Sequence, residues 1–125
     1  MNRHLILALL LVPAAFPHPA AAQSGIALPP ACVAAAPADA HAGHGMGEKG
    51  GGEMHAAMAL ASTIPDPDLA FNCGMIVHHQ GAIQMAETEL KEGKDDTSRK
   101  LAETIIAAQK HEIAEMTAWV EAHTR

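Results

Sequence analysis

Aromatic side chains are scarce: the 125-residue chain has two Phe, one Trp and no Tyr. Sheet proteins draw on aromatic and β-branched residues, so this composition disfavours a β architecture. The apolar fraction of 49% comes largely from Ala, Leu, Ile and Met, which suit helices. Basic residues are also few, eight against fourteen acidic ones, for a net charge of −6. That is the wrong sign for a phosphate backbone, so a nucleic-acid partner is not expected, whereas a cation is suited to such a surface. Proline is missing beyond Pro67, which leaves the C-terminal half free to form long helices. A bilayer-spanning run is lacking too: residues 5–16 are apolar but too short, and Pro13 interrupts them.

Catalytic signatures are equally thin. The chain has no Gly-x-Ser-x-Gly turn and no phosphate-binding glycine loop. His111 and Glu112 begin a zinc-protease-like pattern, but Glu115 stands where the second histidine is required. No histidine has a Glu three positions before it, as a di-iron helix pair needs; Met75 holds that place relative to His78. An enzyme is therefore not expected.

Against these shortages stand seven Met and nine His. The N-terminus reads as an export signal over residues 1–22: Arg3 and His4 precede the apolar run, and Ala20, Ala21 and Ala22 offer small residues for cleavage before Gln23. The mature protein is thus expected in the periplasm or secreted. In an oxidising compartment thiols tend to pair, and Cys32 and Cys73 are the only candidates. The alternatives are two free thiols, or Cys73 as a metal ligand.

Residues 23–63 have the composition of a flexible, disordered arm rich in Ala, Pro and Gly. Within it His41, His44, Met46, Met54, His55 and Met58 form a cluster of soft and borderline donors, which makes the arm a candidate metal-binding segment. Met54, His55 and Met58 also fit a short helix ending near Ser62, with both Met packed on the domain.

The domain proper is expected over residues 64–125. Asp66, Pro67 and Asp68 have the pattern of a helix start, and Gly93 after Lys91 that of a stop. Phe71, Met75, Ala82, Ile83, Ala86 and Leu90 keep helical spacing between them. Asp95 or Asp96 caps a second helix with Leu101, Ile105, Ala108, Met116 and Trp119 as its apolar stripe. Two such helices joined by a tight loop predict an antiparallel hairpin, all-α. Alone it exposes much apolar surface, so pairing of two copies into a four-helix bundle is expected, giving a homodimer.

The first helix carries Met75, His78, His79 and Met85. Thioether beside imidazole is a donor set for copper more than for iron or magnesium, and Cu(I) and Cu(II) both fall within its range. On a helical wheel Met75 and His79 face the hairpin core, while His78 and Met85 lie on its flank. Glu112 falls inside the apolar stripe of the second helix with Gln109 at its border, and a carboxylate there needs a partner. His79 is the economical one, either as a structural pair or as a metal ligand oriented by Glu112 from outside.

The series Asp68, Phe71, Met75, His78, His79, Ala82, Met85, Ala86, Leu101, Ala102, Ile105, Gln109, Glu112, Ile113, Met116 and Trp119 resembles the domain-of-unknown-function family DUF305, over about residues 66–123. The resemblance implies an exported, ferritin-like helical domain, with some members binding copper and supporting copper tolerance. It points to Met75, His78, His79 and Met85 as metal positions, with Asp68, Gln109 and Glu112 as surrounding polar residues. The resulting expectation is an exported copper-binding protein acting in sequestration, transfer or tolerance, with a copper-transfer protein as a further partner. The competing expectation is a non-catalytic helical dimerisation module whose Met and His residues are core packing.

Overall fold

In the computed structural model the chain is described over residues 25–43 and 51–125, and over these it is all-helical. The two longest helices follow the last proline. Helix α3 spans Pro67–Glu92 and α4 spans Asp96–His123, with short α1 at Pro30–Ala35, a 3₁₀ turn at Ala38–Gly43 and α2 at Gly51–Ala61 before them.

Local chemistry sets the ends of α3 and α4. Asp66 Oδ1 accepts the Leu69 N–H at 2.8 Å, and Pro67 fills the first helical position, where its missing N–H costs nothing. At the other end the Gly93 N–H donates to the Glu89 carbonyl at 2.8 Å. Two residues later Asp95 Oδ1 accepts the Ser98 N–H at 2.7 Å and starts α4. The Arg99 guanidinium ties the turn together by donating to the carbonyls of Leu90, at 2.6 Å, and Gly93, at 3.1 Å. So short a connection lays α4 back along α3 as an antiparallel hairpin.

The N-terminal part departs from the flexible arm expected over residues 23–63. A disulfide joins Cys32 of α1 to Cys73 of α3 across a Cα–Cα distance of 5.8 Å, with both residues fully buried. One turn pair further along α3, the Gln80 side chain clasps the extended segment before α1: its Oε1 accepts from Ala27 N at 2.9 Å and its Nε2 donates to Ala27 O at 3.0 Å. Cys73 and Gln80 are seven residues apart and so share a side of the helix. Large apolar groups are few in this segment, and it is these tethers, with the buried Ile26, Cys32 and Ala36, that hold it on the domain.

Helix α2 runs antiparallel to α3 on a strip of small residues. A Cβ added at Gly74 would lie 4.0 Å from the Ala61 side chain, and one added at Gly81 only 2.5 Å from the Met54 sulfur. The paired spacing of seven on both helices explains the close approach. Met54 and Met58 therefore belong to a helix packed against the domain. His44 and Met46 lie outside the described residues, as do residues 1–22, over which an export signal is expected; of His41 the structure describes the backbone, within the 3₁₀ turn.

With neighbours on two sides, α3 buries a different face from that predicted. Cys73, Ile76, Val77, His79, Gly81 and Ala86 are buried, whereas Phe71 is 63% exposed. On α4 the buried positions are Ala102 and Val120, and Leu101 is 58% exposed. The apolar stripe is thus rotated on both helices, because α1 and α2 take part of the surface that a bare hairpin gives to α4. The main core joins Cys32, Ala36, Ala61, Ile64, Cys73, Ile76 and Val120, with Ile113, Met116 and Trp119 packed on it.

Two outcomes follow. Loss of the crosslink over a separation of 41 residues should cost roughly 3–4 kcal/mol. Urea melts of Cys32→Ser/Cys73→Ser should show that loss, and a change below about 1 kcal/mol would contradict the role given to the bond. The Asp95 carboxyl is held below its ordinary value by the Ser98 backbone N–H and then by the Ser98 side chain. Its contribution is complete above the ordinary value of 3.8 and is lost as pH falls through the lowered one. Asp95→Ala should accordingly weaken the protein at neutral pH but change little in strong acid, as read from paired thermal melts.

Candidate metal centre

A rotation of about 100° per residue spreads the donors of α3 around its circumference. His79 points inward and is 7% exposed; Met75, one turn before it, is half-buried. His78 and Met85 point outward, Met85 being 69% exposed. The rings of His78 and His79 meet edge to face with centroids 5.9 Å apart.

Inside the hairpin, His79 Nε2 lies 2.6 Å from Glu112 Oε2. A carboxylate oxygen accepts, so Nε2 carries the hydrogen, while Nδ1 is buried with no partner in the protein. Glu112 itself keeps about half of its side chain in solvent, at 49% exposure, which moderates the cost of holding a charge beside the core. Gln109 is half-buried one turn earlier on α4. His111 turns away and reaches Glu115, with Nε2 and Oε1 3.4 Å apart on the exposed face.

Outside the hairpin, three donors share one strip. His78, Gly81 and Met85 recur at helical spacing, and the Met54 sulfur sits against Gly81, between the other two. Met58 lines the next part of the α2–α3 seam, with Phe71, Gly74 and Met75. Beyond Met85 an open groove of about 270 Å³ continues between α3 and α4, walled by Ala82, Ala86, Glu89, Leu101 and Ile105. His55 is exposed on α2. Asp68 is exposed in the first turn of α3, roughly 15 Å along the axis from His78 at ~1.5 Å per residue, and stands apart from this strip. Cys73 is engaged in the disulfide, which removes its thiolate as a ligand.

Among the described residues no three His, Cys, Asp or Glu side chains gather into a metal-holding group. The two donors whose closeness is defined are the exposed His78 imidazole and the buried His79 imidazole, their ring centroids 5.9 Å apart. Residues 19–123 match the family described as a domain of unknown function, DUF305. The chain belongs to the DUF305 family.

No curated protein matches this DUF305 chain. The family match begins well before Asp66, so α1 and α2 fall inside the DUF305 domain, a wider span than the 66–123 stretch from which the resemblance was read. Two residues that shape the DUF305 domain escape a search for ligands: Gln80, whose amide mimics a backbone partner for Ala27, and Gly81, whose missing side chain admits Met54. The signal for Gly81 was present, since a mid-helix glycine costs about 1 kcal/mol against alanine and calls for a packing reason. No comparable signal marks Gln80.

Removing the Glu112 carboxylate leaves both ring nitrogens of His79 without a partner in the protein. Glu112→Ala should therefore cost about 1–3 kcal/mol, measured by chemical unfolding. Peroxide footprinting should oxidise Met85 well ahead of half-buried Met54 and Met75. Equal rates for the three would contradict the outward placement of Met85.

Proposed function

We propose that this DUF305 protein is an exported copper-binding protein that takes the ion as cargo, for sequestration, transfer or tolerance, rather than an enzyme. The observation that carries this reading is the strip on which the Met54 sulfur lies over Gly81 between His78 and Met85. Packing explains Met54, but it gives no reason for an imidazole and a thioether to stand exposed beside it. Thioether with imidazole fits copper: sulfur suits Cu(I) and imidazole suits either oxidation state, while zinc sites are built from thiolate, imidazole and carboxylate. His41, His44, Met46 and His55 supply further donors within the N-terminal part of the matched span, suited to first capture of the ion. A second protein that receives the copper is part of the reading where the role is transfer.

The exposed apolar residues favour a second reading beside the first. Phe71, Met85 and Leu101 are all more than half exposed, and pairing of two copies through them would bury this surface in a four-helix arrangement. Under that reading the Met and His side chains serve the dimer interface. Among the described residues no helix is long and apolar enough to cross a membrane.

Competition titrations with Cu(I), Cu(II) and Zn(II) separate the two readings. Copper should bind in preference to zinc, and His78→Ala/Met85→Leu should weaken it at least about tenfold, the size expected when ligand geometry is lost. Imidazole binds metal only when deprotonated, so affinity should fall between roughly pH 7.5 and pH 5. Unchanged copper binding in the double variant overturns the strip as the site. Light scattering that finds dimers in metal-free protein, with no copper uptake by any form, would leave the dimerisation module standing instead.

A further inference from the structure

Residues 25–36 lie along α3 as a strap, with Cys32 at Cys73 and Ala27 at Gln80. Little apolar surface holds this strap down: its buried residues are Ile26, Cys32 and Ala36, two of them small. The Gln80 clasp on Ala27 is exposed to solvent, where a hydrogen bond contributes little net stability. Helix α1, at six residues, is too short to persist away from its support. What keeps the strap seated is therefore the Cys32–Cys73 bond, a link that chemistry can open and close.

Beneath the strap lies the apolar junction of α3 and α4. Cys32 and Ala36 share one core with Ala61, Ile64, Ile76 and Val120, so the strap covers two of the largest fully buried side chains, Ile76 and Val120. The contacts that hold the other helices do not pass through it. Helix α2 keeps its seat at Gly74 and Gly81, and α4 keeps the pairing of Glu112 with His79.

We propose that residues 25–36 form a redox-locked strap: with the bond made they seal the α3–α4 core, and reduction by a dithiol lets them lift as a unit while α2, α3 and α4 stay folded. The opened cleft presents Ile76 and Val120. The step is thiol–disulfide exchange: a thiolate of the dithiol attacks one sulfur of the pair, and the other sulfur leaves as a thiolate and takes up a proton. The second thiol of the reductant then resolves the mixed disulfide. The protein gains two electrons and two protons, and the reductant ends as a disulfide. Both cysteines are fully buried, so attack waits on a partial opening, and the seated strap guards its own lock.

Hydrogen exchange followed by NMR on the full chain, before and after treatment with dithiothreitol, tests the lock. The Ala27 amide donates to Gln80 Oε1, and those of Cys32 and Val33 donate to the Pro29 carbonyl. Reduction should lower the protection of these three about a hundredfold, while amides in the middle of α3 and α4 keep theirs. Trp119, the single Trp of the chain, packs on the covered core, so its emission should shift to the red. In the oxidised chain Gln80→Ala should free the Ala27 amide and leave those of Cys32 and Val33 protected, which separates the clasp from the lock. Unchanged protection at Cys32 and Val33 once two thiols per chain have appeared overturns the proposal. So does loss of protection in α3 and α4 together with the strap, because the bond would then hold the whole fold rather than a separable part.

Discussion

A helix lacking side chains along one strip can be approached closely, and Gly74 and Gly81 give α3 such a strip. Into it α2 settles, while α4 packs from another direction and the Cys32–Cys73 bond holds α1 to the same helix. Close packing on two sides has a consequence for the third. A chain this small has no further helix among its described residues to cover the remaining arc of α3, which is where Phe71, His78 and Met85 stand in solvent. The outward donors and the buried His79 are therefore products of one packing arrangement.

That arrangement divides four neighbouring donors by environment. His79 looks toward α4, where Glu112 fixes the imidazole; half-buried Met75 lines the α2–α3 seam; His78 and Met85 look toward water, and the Met54 sulfur packs at Gly81. The division has an energetic side. Buried polar atoms cost stability unless they are satisfied, so His79 is tied to Glu112 at one nitrogen, whereas exposed His78 needs no such support. In the reading proposed for this DUF305 chain, the exposed donors meet the ion.

Much of this was legible in the residues. The caps at Asp66 and Asp95, the stop at Gly93 and the loss of proline after Pro67 place the hairpin, because each acts through local backbone chemistry. The separation of His79 from His78 follows from helical period alone. The N-terminal segment was harder: its composition reads as linker, and what folds it is a crosslink and an amide clasp to residues 41 and 53 positions away. The pairing of Cys32 with Cys73 was one of the alternatives the two cysteines offered, whereas the Gln80 clasp leaves no trace in local composition. The rotated stripe on α3 and α4 has the same origin, since periodicity finds an apolar face but cannot count the helices that share it. For the candidate centre, donor identity was visible at Met75, His78, His79 and Met85, while the position of Met54 depended on a missing side chain at Gly81.

The central claim is that copper is held here by thioether and imidazole together. X-ray absorption at the copper edge, on protein loaded with one equivalent of Cu(I), tests it most directly. The account predicts sulfur and nitrogen scatterers in the same first shell, with the sulfur contribution reduced by Met54→Leu and Met85→Leu. A first shell of nitrogen and oxygen alone, unchanged by those substitutions, would contradict it.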